Sequence, residues 1–160
     1  MLGIYGRRPL TRLELALYAA IVGIAAVVFV DRLLATMELA ERAAMEQTVS
    51  RVNSALNLRI AYEMLNGQLI NVQAALQRNP FELAKVSQPN YRGEVERFDP
   101  ARLEGGSWVY DRTSRELVYL PRLKRGLTTA NGSEAVRFRL VAGTTGTRYV
   151  LVPTYKYTWD

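Results

Sequence analysis

The chain contains no cysteine and no histidine. Without cysteine there is no disulfide and no thiolate metal site. Without histidine it lacks the usual general base at neutral pH and the commonest metal ligand. Ser-His-Asp and Cys-His catalytic machines are therefore excluded. No pair of carboxylates suggests acid–base work, and no glycine-rich loop suggests a phosphate site. The expectation is a protein that is not an enzyme and holds no cofactor and no metal. Internal repeats and low-complexity tracts are also missing.

What is present is one long apolar run near the N-terminus. From position 15 to position 30 no residue is charged and none is proline. At about 1.5 Å per residue that run reaches roughly 24 Å, and residues 13–34 reach about 33 Å, against a hydrocarbon core of ~30 Å. The run is too apolar for a surface helix and lacks the alternation of a strand. It predicts a transmembrane helix over 13–34, with Asp31 and Arg32 near the far interface. The alternatives are a buried helix of a soluble protein and a cleaved secretory signal. The run is long for a signal, and no small-x-small site follows it directly.

The net charge is +6, from 21 Lys and Arg against 15 Asp and Glu. Arg7, Arg8 and Arg12 precede the run, whereas Arg32 and Arg42 after it are offset by Asp31, Glu38 and Glu41. By the positive-inside rule the N-terminus is cytoplasmic and the C-terminal part lies outside. Residues 1–12 form a short basic leader. Thr11 with Glu14 makes a T-x-x-E capping box, which starts the helix near Arg12.

The helix is predicted to continue past the run. Residues 33–65 contain no proline and no glycine. Met45, Val49, Val52, Leu56, Ile60 and Met64 recur every three or four positions and form one apolar stripe. Glu38, Glu41, Arg42, Glu46, Arg51 and Arg59 lie mostly off it, and Glu38 with Arg42 forms a favourable i,i+4 pair. Asn66-Gly67 ends this spine. A shorter helix is expected over 68–77, with Leu69, Val72 and Leu76 on one side. Residues 80–106 read as a proline- and glycine-rich connector with a brief helical turn around 81–86. A connector of this length is often functional or a subunit contact.

After Gly106 the pattern becomes strand-like. Residues 107–111 and 116–120 read as a hairpin, 121–133 as a basic loop, 136–142 as a strand with one wet face, 143–146 as a turn and 148–155 as the last strand. Pro153 fits an edge or a strand end. The predicted fold is α+β: a long N-terminal helix packed on an antiparallel sheet of about four strands. The organisation is leader 1–12, transmembrane helix 13–34, amphipathic spine 35–66 and an α+β domain 67–160.

This plan resembles the type IV pilins and, more closely, the pseudopilins of type II secretion systems. The resemblance rests on Leu10-Thr11-Arg12-Leu13-Glu14-Leu15, which lines up with the family's Phe-Thr-Leu-Ile-Glu-Leu. It continues through the apolar run to Ala-Glu-Arg-Ala at 40–43 and is architectural beyond that. It implies processing between Pro9 and Leu10, with Leu10 as first mature residue. It also implies that Glu14 pairs with the terminal amine of an adjacent subunit, and that Leu13, Leu15 and Tyr18 join it in subunit assembly. Two positions depart from the family: Pro9 stands where the peptidase expects glycine, and Arg12 replaces an apolar residue. Gly6 would be an alternative cut, leaving Glu14 at the eighth position.

The implied function is a structural subunit of a bacterial secretion or pilus apparatus, anchored in the inner membrane with a periplasmic domain. Its partners would be the membrane, other pilin-like subunits in a homo- or hetero-oligomer, and the assembly machinery. The alternative is a monomeric membrane-anchored periplasmic accessory protein. Nucleic acid is not the expected partner, although Arg122, Lys124, Arg125, Arg137 and Arg139 with Tyr119 and Tyr155 raise the idea of a basic aromatic patch.

Overall fold

The computed structural model describes residues 11–67, 72–143 and 148–159. The expectations for Pro9, Leu10 and most of the leader, for the start of the second helix at 68–71, and for most of the 143–146 turn lie outside the described residues. The chain divides into two compact units, Met1–Met37 and Glu38–Asp160.

Helix α1 runs over Arg12–Leu65, 54 residues. The first unit holds its apolar part, in which the side chains between positions 12 and 30 are exposed. It is the one helix among the described residues that is long and apolar enough to cross a membrane. The Thr36 hydroxyl donates to the Arg32 carbonyl at 2.9 Å, a bond that satisfies a polar side chain within the helix itself.

The second unit builds its core on the stripe. Met45, Val52, Leu56 and Ile60 are buried, and Val49 is partly so. Met64, expected on this stripe, is exposed. Among the α1 residues of the core, Ile60 is the last, so the core stops about one turn short of the helix end.

Helices α2 (Val72–Leu76) and α3 (Pro80–Ala84) follow. The Asn79 side chain caps α3 by accepting from Phe81 N–H at 3.1 Å, and Pro80 takes the first helical position, where no N–H is needed. This places Phe81 against Tyr91 and Trp108, with ring centroids at 4.9 and 5.7 Å. Trp108 also meets Tyr119 and Phe138, at 4.8 and 5.8 Å.

The main sheet has five strands in the order β1-β2-β3-β5-β6: Tyr91–Val95, Ser107–Asp111, Glu116–Leu120, Val136–Ala142 and Tyr149–Pro153. The α+β class is as expected, with one strand more than the antiparallel set the sequence suggests. The extra strand, β1, pairs with β2 in parallel and carries a register shift at Gly93, whose φ of +94° requires glycine. A second, two-stranded sheet pairs β4 (Leu127–Thr129) with β7 (Tyr157–Trp159).

The connector 80–106 is thus largely structured. After β1 it crosses the outer face of the sheet through a 3-10 turn at Pro100–Arg102. There Val95, Phe98 and Leu103 pack on Val109, Val118, Leu120 and Ala135. Both faces of β2 and β3 are therefore buried. On this outer face Glu116 accepts from Arg137, Arg139 and Thr154 at 3.2, 2.9 and 2.9 Å. Asp111 accepts from Phe98 N–H and Ser114 N–H, both at 3.1 Å.

Strand β6 is an edge, and α1 closes part of it. The Asn53 side chain accepts from Leu151 N–H at 2.7 Å. Pro153, at the strand end, removes another donor.

Candidate functional site

Thr11 and Glu14 form a reciprocal cap at the head of α1. Thr11 N–H and its hydroxyl donate to Glu14 Oε2 at 2.8 and 3.0 Å, and Glu14 N–H donates to Thr11 Oγ1 at 3.2 Å. The sequence predicts this box, because capping depends only on residues three apart. The cap uses one oxygen of the carboxylate. Leu13 is 81 % exposed, Leu15 61 % and Tyr18 57 %. The structure thus places three of the predicted assembly residues and Glu14 on one exposed apolar turn-and-a-half of helix. Pro9 and Leu10 lie outside the described residues.

A second constellation lies where the second unit begins. Glu38 is 6 % exposed. Its Oε1 accepts from the Trp159 indole N–H at 2.8 Å and from Gly126 N–H at 2.9 Å. One turn on, Glu41 accepts from the Tyr119 hydroxyl at 2.8 Å and from Arg122 N–H and Leu123 N–H at 2.7 and 3.1 Å. Arg42 donates to the Trp159 carbonyl at 2.5 Å and pairs with Glu46 at 3.0 Å. Further along, Arg59 donates to the Leu83 carbonyl at 2.6 Å and pairs with Glu63 at 2.8 Å.

Polar side chains of α1 therefore fasten the basic loop and the C-terminal strand to the spine. The sequence places Glu38 and Glu41 mostly off the stripe and pairs Glu38 with Arg42; in the structure Arg42 pairs with Glu46 instead, and Glu38 bonds to Trp159 and Gly126. The available signal was spacing: Glu38 sits seven residues before Met45 and so falls on the same helix face as the core stripe.

Three of the cationic side chains grouped by the nucleic-acid idea, Lys124, Arg137 and Arg139, have separate engagements. Arg137 and Arg139 serve Glu116 on the outer sheet face, and Arg137 also lies 5.1 Å over the Phe98 ring. Lys124 pairs with Glu134 at 2.5 Å. Tyr119 is buried, and its hydroxyl faces Glu41. No group of three His, Cys, Asp or Glu among the described residues is placed to hold a metal ion.

Buried phenols give the domain an alkaline limit. Burial pushes Tyr91 up to about 12, against the hydrogen bond from Asn79 that lowers it. Burial, reinforced by the Glu41 carboxylate, raises Tyr119 well above the ordinary phenol range. A raised folded-state pKa means that the unfolded chain loses these protons first as pH rises. The stabilisation from the neutral phenols is complete below pH ~10, the ordinary tyrosine value, and is lost between there and about 12. Denaturant unfolding followed by circular dichroism should show a midpoint that is flat up to that limit and falls above it. The tyrosinate absorbance that Tyr91→Phe and Tyr119→Phe remove should rise together with unfolding, not before it.

No family model, no curated protein and no solved structure matches the chain.

Proposed function

We propose that the chain is a pilin-like or pseudopilin-like structural subunit of a bacterial secretion or type IV pilus apparatus. Residues 13–34 would anchor it in the inner membrane, with the N-terminus cytoplasmic and the second unit periplasmic. Lateral packing of these helices would assemble the subunits, and the domain would present their outer surface. The observation that carries this reading is α1 itself. One 54-residue helix begins with a Thr11–Glu14 cap, exposes its apolar first part and buries a stripe of its second part under an α+β domain.

In this reading Glu14 meets a cation of a neighbouring subunit, the amine of a processed Leu10. A buried pair of that kind specifies register more than it stabilises. A second reading has one observation in its favour: the Glu14 carboxylate already has partners within its own chain, at Thr11. A monomeric membrane-anchored accessory protein needs nothing more.

The N-terminal sequence and intact mass of the membrane-extracted protein separate the two. The subunit reading expects a start at Leu10. A start at Met1 leaves no Leu10 amine for Glu14 to meet and favours the accessory reading.

A further inference from the structure

A cleft opens in the second unit between the α2–α3 segment and the turn that joins β2 to β3. Its volume is about 320 Å³, at the small end of the range for ligand pockets. Arg78, Arg112 and Arg115 line it, and so do Glu82, Glu94 and Tyr110. All of these residues belong to Glu38–Asp160, so nothing about the cleft depends on the apolar run or on assembly.

The opposite charges on its walls do not pair with one another. Among the described residues, Arg78, Arg115 and Glu82 have no side-chain hydrogen bond or ion pair. Glu94 accepts from the Asn79 side chain at 3.1 Å, through Oε1 alone. Arg112 pairs with exposed Glu96 at 3.2 Å, a contact that contributes little. These charges still converge on a common group. Burial raises the Tyr110 hydroxyl above its ordinary pKa, Glu94 and Glu82 raise it further, and Arg115 lowers it.

Arg115 also sits where an arginine is costly. Residues 112–115 close the hairpin between Asp111 and Glu116, and Arg115 takes a φ of +56°. A tight hairpin often needs one left-handed residue, but glycine or asparagine fills that place with less strain. The turn accounts for the conformation and not for the arginine. Exposed arginines without partners are ordinary. Unpaired charge of both signs on the walls of one cleft, with one cation held in strained backbone, is not.

We propose that the cleft binds a zwitterion of dipeptide size, its carboxylate on Arg78 and Arg115 and its ammonium on Glu82 and Glu94. A guanidinium meets a carboxylate through two parallel N–H bonds. Asn79 uses Oε1 of Glu94, which leaves Oε2 for the ammonium. Tyr110 is fixed in the lining by its hydroxyl, which donates to the Gln77 carbonyl at 3.2 Å.

The test uses the full chain in uncharged detergent micelles and the probe L-alanyl-L-alanine. Arginine side-chain NMR should show the Nε–H signals of Arg78 and Arg115 shifting as the dipeptide is added. N-acetylation removes the probe's ammonium, and C-terminal amidation removes its carboxylate. Each change should weaken binding on the order of tenfold, because each loses a charge-assisted bond. Glu82→Gln should lose a similar factor. Arg115→Gly should lose it too while its thermal midpoint holds or rises, since glycine adopts that φ freely. High salt should weaken binding. No shift with the unmodified dipeptide, equal affinity for either blocked probe, or unchanged binding in Arg115→Gly overturns the proposal. So does an Arg115→Gly chain whose lost binding comes with a lowered midpoint.

Discussion

Trp108→Ala is expected to cost about 3–5 kcal/mol of stability, the usual range for removing a large aromatic from a core. Trp108 is 1 % exposed, lies in the inner face of β2 and meets the rings of Phe81, Tyr119 and Phe138. It therefore joins α3, β2, β3 and β5. Its ring neighbours are themselves largely buried, so the space it leaves closes only in part. Domains of this size typically have 5–15 kcal/mol in total, so the variant loses a large fraction. Thermal unfolding of the full chain in detergent should show a midpoint lower by ten degrees or more, on the order set by the unfolding entropy of a domain this size. Trp108→Phe, which keeps a ring, should recover most of the loss. A midpoint unchanged in Trp108→Ala would mean that the aromatic cluster does not organise the core.

Glu14→Ala is expected to abolish assembly while leaving membrane insertion intact. Insertion depends on the apolar run that follows, and removing a carboxylate from the head of that run does not hinder it. Removal does eliminate the two bonds that Thr11 donates to the carboxylate, while the N–H of residue 14 still donates to Thr11 Oγ1. Glu14→Gln separates the two effects. It keeps an acceptor for the Thr11 N–H and removes the charge. If assembly requires the charge, Glu14→Gln fails as completely as Glu14→Ala; if only the cap matters, it assembles. Membrane fractions probed for sedimentable oligomers read the difference.

The parts of the fold legible in the sequence were those decided by near neighbours. The β2–β3 hairpin, β5 with its alternating arginines and the long helix all follow from periodicity, and each strand matches the expected bounds. The Thr11–Glu14 cap was legible for the same reason. Strand β1 was not, because Tyr91-Arg92-Gly93-Glu94-Val95 has a glycine at its centre and gains its place from parallel pairing with β2. Strands β4 and β7 are three residues each and carry too little pattern. The connector 80–106 looked open because of its prolines and glycines, although Phe81 and Phe98 bury their rings on opposite sides of the sheet.

The partners of Glu38 illustrate the limit most directly. A glutamate in a helical stripe signals burial, but nothing nearby shows that its partner is an indole 121 residues away. In the candidate assembly helix, Leu13, Leu15 and Tyr18 were legible as apolar and helical. What covers them is a property of a neighbouring molecule or of lipid, and a single chain's pattern does not encode which.

The central claim is that copies of α1 pack side by side in the membrane. In-membrane crosslinking with a photoactivatable residue at Tyr18 tests it most directly. Tyr18 is exposed on the same helix face region as Glu14, one turn further in. The account predicts a ladder of covalent homomers or pilin-like heteromers that disappears in Glu14→Ala. A protein that is fully inserted yet crosslinks only to lipid, with or without Glu14, would contradict it.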